Sequence, residues 1–220
     1  MGLGADAVKL YLELWQRNLL TDVESVLDIG SQELHLTRAE FKELVDIAGL
    51  PGYEEKTFQD LANWPGLPRC SSRHFYELLG AKQYRCIDLN QEYGAIPHDL
   101  NLPFADETLF NKFDLVTDHG ANEHVFNIAE TYRTMHRLCK PGGIIVIIQA
   151  LYGGNGYYNF DLSFFEGMAA ANAYRILFSS YTVSTLTNSG GSREFHIPVS
   201  RDLITVVDWA KVSNLGICYV

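Results

Sequence analysis

The sequence predicts an α/β protein with a mainly parallel sheet, helices on both faces and an antiparallel strand at the C-terminal end. Three observations carry this. Short apolar runs ending in an acid or a glycine alternate with segments of helical periodicity. Ile144 to Ile148 is an unbroken aliphatic run, the pattern of a strand covered on both faces. Near the C-terminus two strand-like runs, Tyr174–Leu186 and Asp202–Val212, flank the turn-rich Asn188-Ser189-Gly190-Gly191-Ser192.

The elements follow in order. Val8, Leu12, Trp15 and Leu19 recur at helical spacing between charges, so residues 1–22 are expected to hold an amphipathic helix packed on the body. Ser25 to Ile29 reads as a buried strand ending at Gly30. Thr37 and Glu40 form a capping box ahead of Phe41, Leu44, Val45 and Ala48, and Gly49-Leu50-Pro51-Gly52 stops that helix. Ser72 is expected to cap a second helix over Arg73–Leu79, closed by Gly80. Tyr84 to Asp88 reads as the second strand. A minimal βαβ unit takes about 30 residues, so the stretch between Gly30 and Asp88 is too long by roughly 30–40, and residues 33–70 are read as an insertion or lid in a single domain spanning 1–220. Phe113–Thr117 is a strand and Asn127–Leu138 a helix. Lys140-Pro141-Gly142-Gly143 is expected to turn into the aliphatic strand, and Phe164–Ala173 to form the last helix.

Composition narrows the function. The 220 residues carry 17 Lys+Arg against 27 Asp+Glu, a formal net charge of −10. Nucleic-acid binding rests on basic surfaces that displace phosphate counterions, so a nucleic-acid partner is not expected. The longest aliphatic run is far below the roughly 20 residues that span a bilayer, and the N-terminus lacks the basic start and apolar block of a secretory signal. Asp6 stands where a myristoylation motif wants Ser or Thr. Cys70, Cys86, Cys139 and Cys218 are scattered singly, which reads as reduced thiols of a cytoplasmic protein with no metal site.

Candidate chemistry gathers at strand ends. Gly30, with Asp28, Ser31 and Gln32 around it, lies where ligands bind in open α/β sheets. It is incomplete as a GxGxxG fingerprint, and the plainer reading is a tight turn with Asp28 capping local amides. Asp88 could accept both hydroxyls of a ribose, or be an ordinary solvated acid. Phe113-Asp114-Leu115-Val116-Thr117-Asp118-His119-Gly120 is followed by Asn122-Glu123-His124, a helix, and the Pro-Gly-Gly turn into an aliphatic strand.

On these motifs, from about Val23 to Ile148, the chain resembles class I S-adenosylmethionine-dependent methyltransferases. The resemblance implies a Rossmann-like methyltransferase sandwich with a seven-stranded, mainly parallel sheet, and S-adenosylmethionine as cofactor. It implies that Asp28, Gly30, Ser31 and Gln32 hold the amino-acid part of the cofactor. Asp88 would hold the ribose, Leu89, Asp99 and Leu100 would lie at the adenine, and Asp118 and His119 with Gly120 would line the methyl-donor cleft. The segment Asn122 to Asn127 is similar, more weakly, to bacterial proteins that modify sugars or small metabolites. The implied activity is methyl transfer to oxygen or nitrogen of a small molecule.

Transfer from a sulfonium needs in-line alignment, and a base where the acceptor is protonated. An imidazole titrates near pH 6.5, which makes His119 and His124 the candidate bases; otherwise His119 shapes the pocket floor and His124 caps the following helix. Glu123 is expected to face solvent or cap that helix. Tyr157 and Asn159, in the glycine- and tyrosine-rich loop after the aliphatic strand, are the expected substrate contacts, with His196 as a further one. Two alternatives stay open: a catalytically silent binding module with this fold, because the glycine loop is reduced, and an NAD(P)-dependent oxidoreductase. Oligomeric state is not specified by these residues.

Overall fold

The structure is a computed structural model and describes residues 2–153, 155–186, 192–199 and 212–220. Its elements, in chain order, are β1 (Gly2–Leu3), α1 (Ala5–Gln16), β2 (Ser25–Ile29), β3 (Glu33–Leu34), α2 (Arg38–Ala48), α3 (Arg73–Leu78), β4 (Gln83–Ile87), β5 (Phe113–His119), α4 (Ile128–Leu138), β6 (Cys139–Tyr152), α5 (Leu162–Ala171), β7 (Ser179–Leu186), β8 (Ser192–Pro198) and β9 (Val212–Tyr219).

Seven strands form one sheet in the order β4-β2-β5-β6-β9-β7-β8. The first four are mutually parallel. β9 runs antiparallel between β6 and β7, and β8 is antiparallel to β7 at the edge. All five residues of β2 are buried, because the strand lies between two neighbours and beneath helices on both faces. Two apolar cores result. One holds Val26 and Leu115 with Val8, Tyr11, Phe41 and Phe75 of α1–α3. The other holds Leu27, Val116 and Ile147 with Tyr132 and Met135 of α4 and Phe165 of α5. Side chains alternate across a strand, so Asp28 and His119 face α1–α3 while Asp118 faces α4 and α5.

α2 has the expected capping box: Thr37 accepts the Glu40 amide while Glu40 accepts the Thr37 amide, and Gly49 ends the helix at φ +69°. The chain that leaves β2 at Gln32 returns at Ser72. Leu34 N donates to Cys70 O, Ser72 N donates to Gln32 O, and Glu33 bridges Ser71. Between these points Phe41 packs on Phe58 at 4.7 Å and on Phe75 at 5.7 Å between ring centroids, which fixes α2 over α3.

Three details depart from the sequence expectations. Ser72 is helical and caps nothing, because its hydroxyl is spent on a buried carboxylate described below. Pro141-Gly142-Gly143 lies inside β6 as a bulge: Phe113 pairs with Cys139 and Leu115 with Ile144, so two steps along β5 meet five along β6. Gly142 has φ +79°, and a Cβ on Gly143 would lie 2.8 Å from Cys139 Sγ and 2.9 Å from Lys140 O. The third concerns the C-terminal strands. β7 begins at Ser179, and β8 and β9 lie on either side of the expected Asp202–Val212 run, of which residues 202–211, like the turn Asn188–Gly191, fall outside the described residues. Among the described residues no helix is long and apolar enough to cross a membrane.

Candidate functional site

The parallel register brings the carboxyl ends of β2, β4 and β5 level: Ile29 pairs with both Ile87 and Asp118. Gly30 follows at φ +85°, a conformation open to glycine, and its amide donates to Ile87 O at 2.8 Å. Asp88 then closes the loop, accepting Ser31 N at 2.8 Å and Asn90 N at 3.1 Å. Each of its oxygens takes one backbone donor and keeps a further lone pair. Ser31 Oγ donates to Asn90 Oδ1 at 2.8 Å. Beside them Leu89 is 65% exposed, an apolar side chain left on the rim.

Asp28 lies one layer deeper. Its Oδ2 accepts Ser72 Oγ at 2.6 Å and Tyr84 OH at 2.9 Å, and its Oδ1 accepts Thr117 Oγ1. Burial pushes this carboxyl up to about 6, against the opposing pull of those hydroxyls. Asp28 thus ties α3, β4 and β5 together from beneath the glycine loop. Ser72, Tyr84 and Thr117 were not expected at the site; the sequence holds no local signal for them, since each arrives from a different element.

His119 ends β5 on the same face and is buried. Its Nε2 shares a 2.9 Å hydrogen bond with Tyr11 OH of α1 and lies 3.4 Å from Tyr76 OH of α3, while Tyr76 OH donates to Tyr11 OH at 3.3 Å. Burial lowers the imidazole to about 3, so the ring is neutral and a weak proton acceptor at physiological pH. Tyr11 and Tyr76 are further participants that stripe periodicity alone presents as core.

On the other face Asp118 accepts Ala121 N at 2.9 Å and Asn122 N at 3.2 Å through Oδ1, and Gln149 Nε2 through Oδ2. Burial raises this carboxyl to about 7, with nearby Glu123 adding to the rise. Glu123, expected at the surface, is buried: its Oε2 accepts Ala150 N at 3.2 Å and its main-chain oxygen accepts Tyr157 N at 2.6 Å. The turn at Gly120, φ +75°, folds residues 122–124 back onto the end of β6 and carries Glu123 inside. Gly156 presses on it, and a Cβ there would lie 2.5 Å from Glu123 O. His124 stays partly exposed, with Nε2 3.6 Å from Glu123 Oε1.

The remaining expected site residues spread outward. Asp99 accepts the Asn101 amide and side chain at 2.9 and 2.8 Å, which holds its carboxyl below the usual range. Asn101 in turn receives Asn127 N at 2.8 Å, linking this loop to the start of α4. Leu100 offers its carbonyl to Thr131 Oγ1 at 3.4 Å. Tyr157, 72% exposed, and the exposed Asn159 lie on the loop after β6. His196 lies on the edge strand β8, where it accepts Ser180 Oγ at 2.7 Å and donates to the Asp6 carbonyl at 3.1 Å. Among the described residues no group of three His, Cys, Asp or Glu side chains could hold a metal ion.

A family described as "Methyltransferase domain" matches residues 73–147, from α3 through β4 and β5 into β6. The match covers about a third of the chain and marks a likeness to methyltransferase domains over that stretch. Among solved structures the chain is similar to a candidate methyltransferase from Bacillus halodurans (16% identity, 67% of this chain and 84% of that one, TM-score 0.44). It is also similar to S-adenosylmethionine-dependent methyltransferases from Archaeoglobus fulgidus (13%, 96% and 93%, TM-score 0.42) and Thermotoga maritima (9%, 96% and 90%, TM-score 0.40). No curated protein matches the chain. The likeness to methyltransferase domains implies S-adenosylmethionine as cofactor, and the residues at the sheet edge fit it. Asp88 retains acceptor capacity for hydroxyls. Gln32 Oε1, His119 Nδ1, Asn122 Oδ1 and Gln149 Oε1 are buried polar atoms without a partner, all at the carboxyl ends of β2, β5 and β6. Buried polar atoms are nearly always paired, and so many orphans at one edge suit a polar ligand.

Proposed function

We propose that this protein moves the methyl group of S-adenosylmethionine to an oxygen or nitrogen of a small molecule. The observation that supports it best is the convergence of Gly30–Gln32, Asp88 and Asp118–Gly120 at one sheet edge, with β4, β5 and the start of β6 inside the family match. When bound, S-adenosylmethionine supplies a methyl group made electrophilic by its sulfonium. In this reading Asp88 accepts the ribose hydroxyls through its free lone pairs, and Leu89 with Leu100 covers the adenine. Gly30 and Gln32 leave the loop open to the amino-acid part. The deeper carboxylates act through position: Asp28 holds the glycine loop against α3, and Asp118 holds the turn that presents His124. Of the two imidazoles, His124 is the candidate base by placement, because it reaches the surface where an acceptor can meet it, whereas His119 is buried against Tyr11 and Tyr76. Tyr157 and Asn159 flank the acceptor. The formal charge of −10 favours a small acceptor over a nucleic acid.

Calorimetric titration of the purified chain with S-adenosylmethionine and with its demethylated product tests the cofactor step, and no heat with either compound overturns the proposal. Incubation with S-adenosylmethionine and a metabolite extract, followed by mass spectrometry for products gaining one methyl group, tests transfer. Cofactor binding with no methylated product would instead favour a silent binding module.

A further inference from the structure

A cavity of about 510 Å³ lies between α4, α5 and the α4–α5 face of β6, around the Pro141–Gly143 bulge. This is within the roughly 300–1,000 Å³ range of small-molecule pockets. Its β6 lining, 139–145 with Ile147, precedes Gln149 and the loop after it, and comes level with the cofactor edge only at Ile147, the partner of Asp118. The bulge is what makes room. Three extra residues of β6 loop out between the Cys139 and Ile144 pairings with β5, and α5 ends at Ala171.

The walls are apolar, with Met135, Ile145, Ile147, Phe165, Met168 and Tyr219 contributing the largest side chains. The basic side chains of the lining have no acidic counterpart in it. The chain has 27 acidic residues, yet no Asp or Glu lines this cavity, while His136, Lys140 and Arg175 do. Lys140 is neutralised by Asp114 at 2.6 Å, and His136 is engaged by Tyr174 OH. The oxygen of Val220, also in the lining, accepts the Leu177 and Phe178 amides. Arg175 makes no hydrogen bond or ion pair among the described residues and is exposed. An unpaired guanidinium beside an apolar cavity, in a chain of net charge −10, is complementary to a ligand with an apolar body and one anionic head.

We propose that this cavity binds an amphipathic carboxylate of the medium-chain fatty-acid type, its chain against Met135, Phe165 and Met168 and its carboxylate on Arg175. The site is separate from the methyl-transfer edge. Decanoate is the probe, titrated by calorimetry into the full chain, with decanol as the neutral control. Decanoate should bind more tightly than decanol. Arg175→Gln, a surface change that leaves folding intact, should weaken decanoate about tenfold, the loss of one charge-assisted contact, and leave decanol unchanged. Ala169→Trp should block both by filling the cavity, with a retained far-ultraviolet dichroism spectrum as the folding check. Failure of decanoate to bind overturns the proposal. So does equal affinity for the two probes, indifference to Arg175→Gln, or competition by S-adenosylmethionine, which would put the probe at the sheet edge.

Discussion

Asp118 offers the sharpest test of the site's electrostatics. Its carboxyl is fully buried, accepts two backbone amides and the Gln149 amide, and is pushed by burial from 3.8 up to about 7. A folded-state value above the unfolded one means that, between about pH 4 and pH 7, the folded chain keeps a proton the unfolded chain has released. For this group stability therefore falls as pH rises through that window, and levels off above it. Roughly three pH units at 1.36 kcal/mol each give a penalty of about 4 kcal/mol at pH 8. Asp118→Asn removes the charge and keeps the shape. The amide oxygen retains the Ala121 and Asn122 donors, and a flip of Gln149 presents its unpartnered Oε1 to the new amide nitrogen. Urea unfolding of both proteins at pH 4 and pH 8 should show near-equal stability at pH 4 and a variant more stable by up to about 4 kcal/mol at pH 8. Parallel stability curves for the two proteins across this range would refute the reasoning.

Four other outcomes follow from the geometry. Asp88→Ala should weaken S-adenosylmethionine binding by about 1–3 kcal/mol, through lost hydrogen bonds to the ribose and a loosened Ser31 loop; calorimetry reads it directly. His124→Ala should lower turnover and leave cofactor affinity intact, and unaltered turnover would return His124 to a structural role. Tyr11→Phe strips His119 of its 2.9 Å partner and should cost about 1–2 kcal/mol in urea unfolding. Gly143→Ala forces a Cβ against Cys139 Sγ and two carbonyl oxygens at 2.8–3.0 Å and should cost about 1–3 kcal/mol, again by urea unfolding, with no change in cofactor affinity.

The local features were readable where one segment carries the whole signal. Thr37 and Glu40 make the capping box they spell, and the strand-end residues Gly30, Asp88 and Asp118 fall level at one sheet edge because parallel pairing aligns the carboxyl ends of neighbouring strands. Features that depend on distant partners were not readable. Ser72 looks like an N-cap by its place before a helix, yet a hydroxyl 2.6 Å from a buried carboxylate gains more there than on an amide that water or a neighbouring turn can satisfy. Glu123 looks solvated by residue type, and only the turn at Gly120 decides that it folds inward. Tyr11 and Tyr76 sit on apolar stripes, where periodicity reports burial and says nothing of where the hydroxyl ends. The Pro-Gly-Gly segment carries the residues of a turn. Inside a strand the same conformational freedom makes a bulge, and the choice is set by the pairing of Cys139 with Phe113.

The two buried carboxylates explain how a reduced glycine loop can still be a built site. Asp28 and Asp118 lie on adjacent strands and on opposite faces of the sheet, one pushed to about 6 and the other to about 7. Burial of this kind opposes folding at neutral pH, so each carboxylate must be held by what it organises. Asp28 gathers Ser72, Tyr84 and Thr117, which pins the chain returning at α3 against β2 even though residues 33–71 intervene. Asp118 gathers Ala121, Asn122 and Gln149, which sets the turn carrying His124 and the start of the loop carrying Tyr157. Where a full GxGxxG loop would shape the edge through successive glycines, here one glycine and two internal acids do so from below. The orphaned atoms of Gln32, His119, Asn122 and Gln149 are then the counterpart of that arrangement: polar side chains fixed at the edge by neighbours, with hydrogen-bonding capacity that a bound cofactor or acceptor would complete.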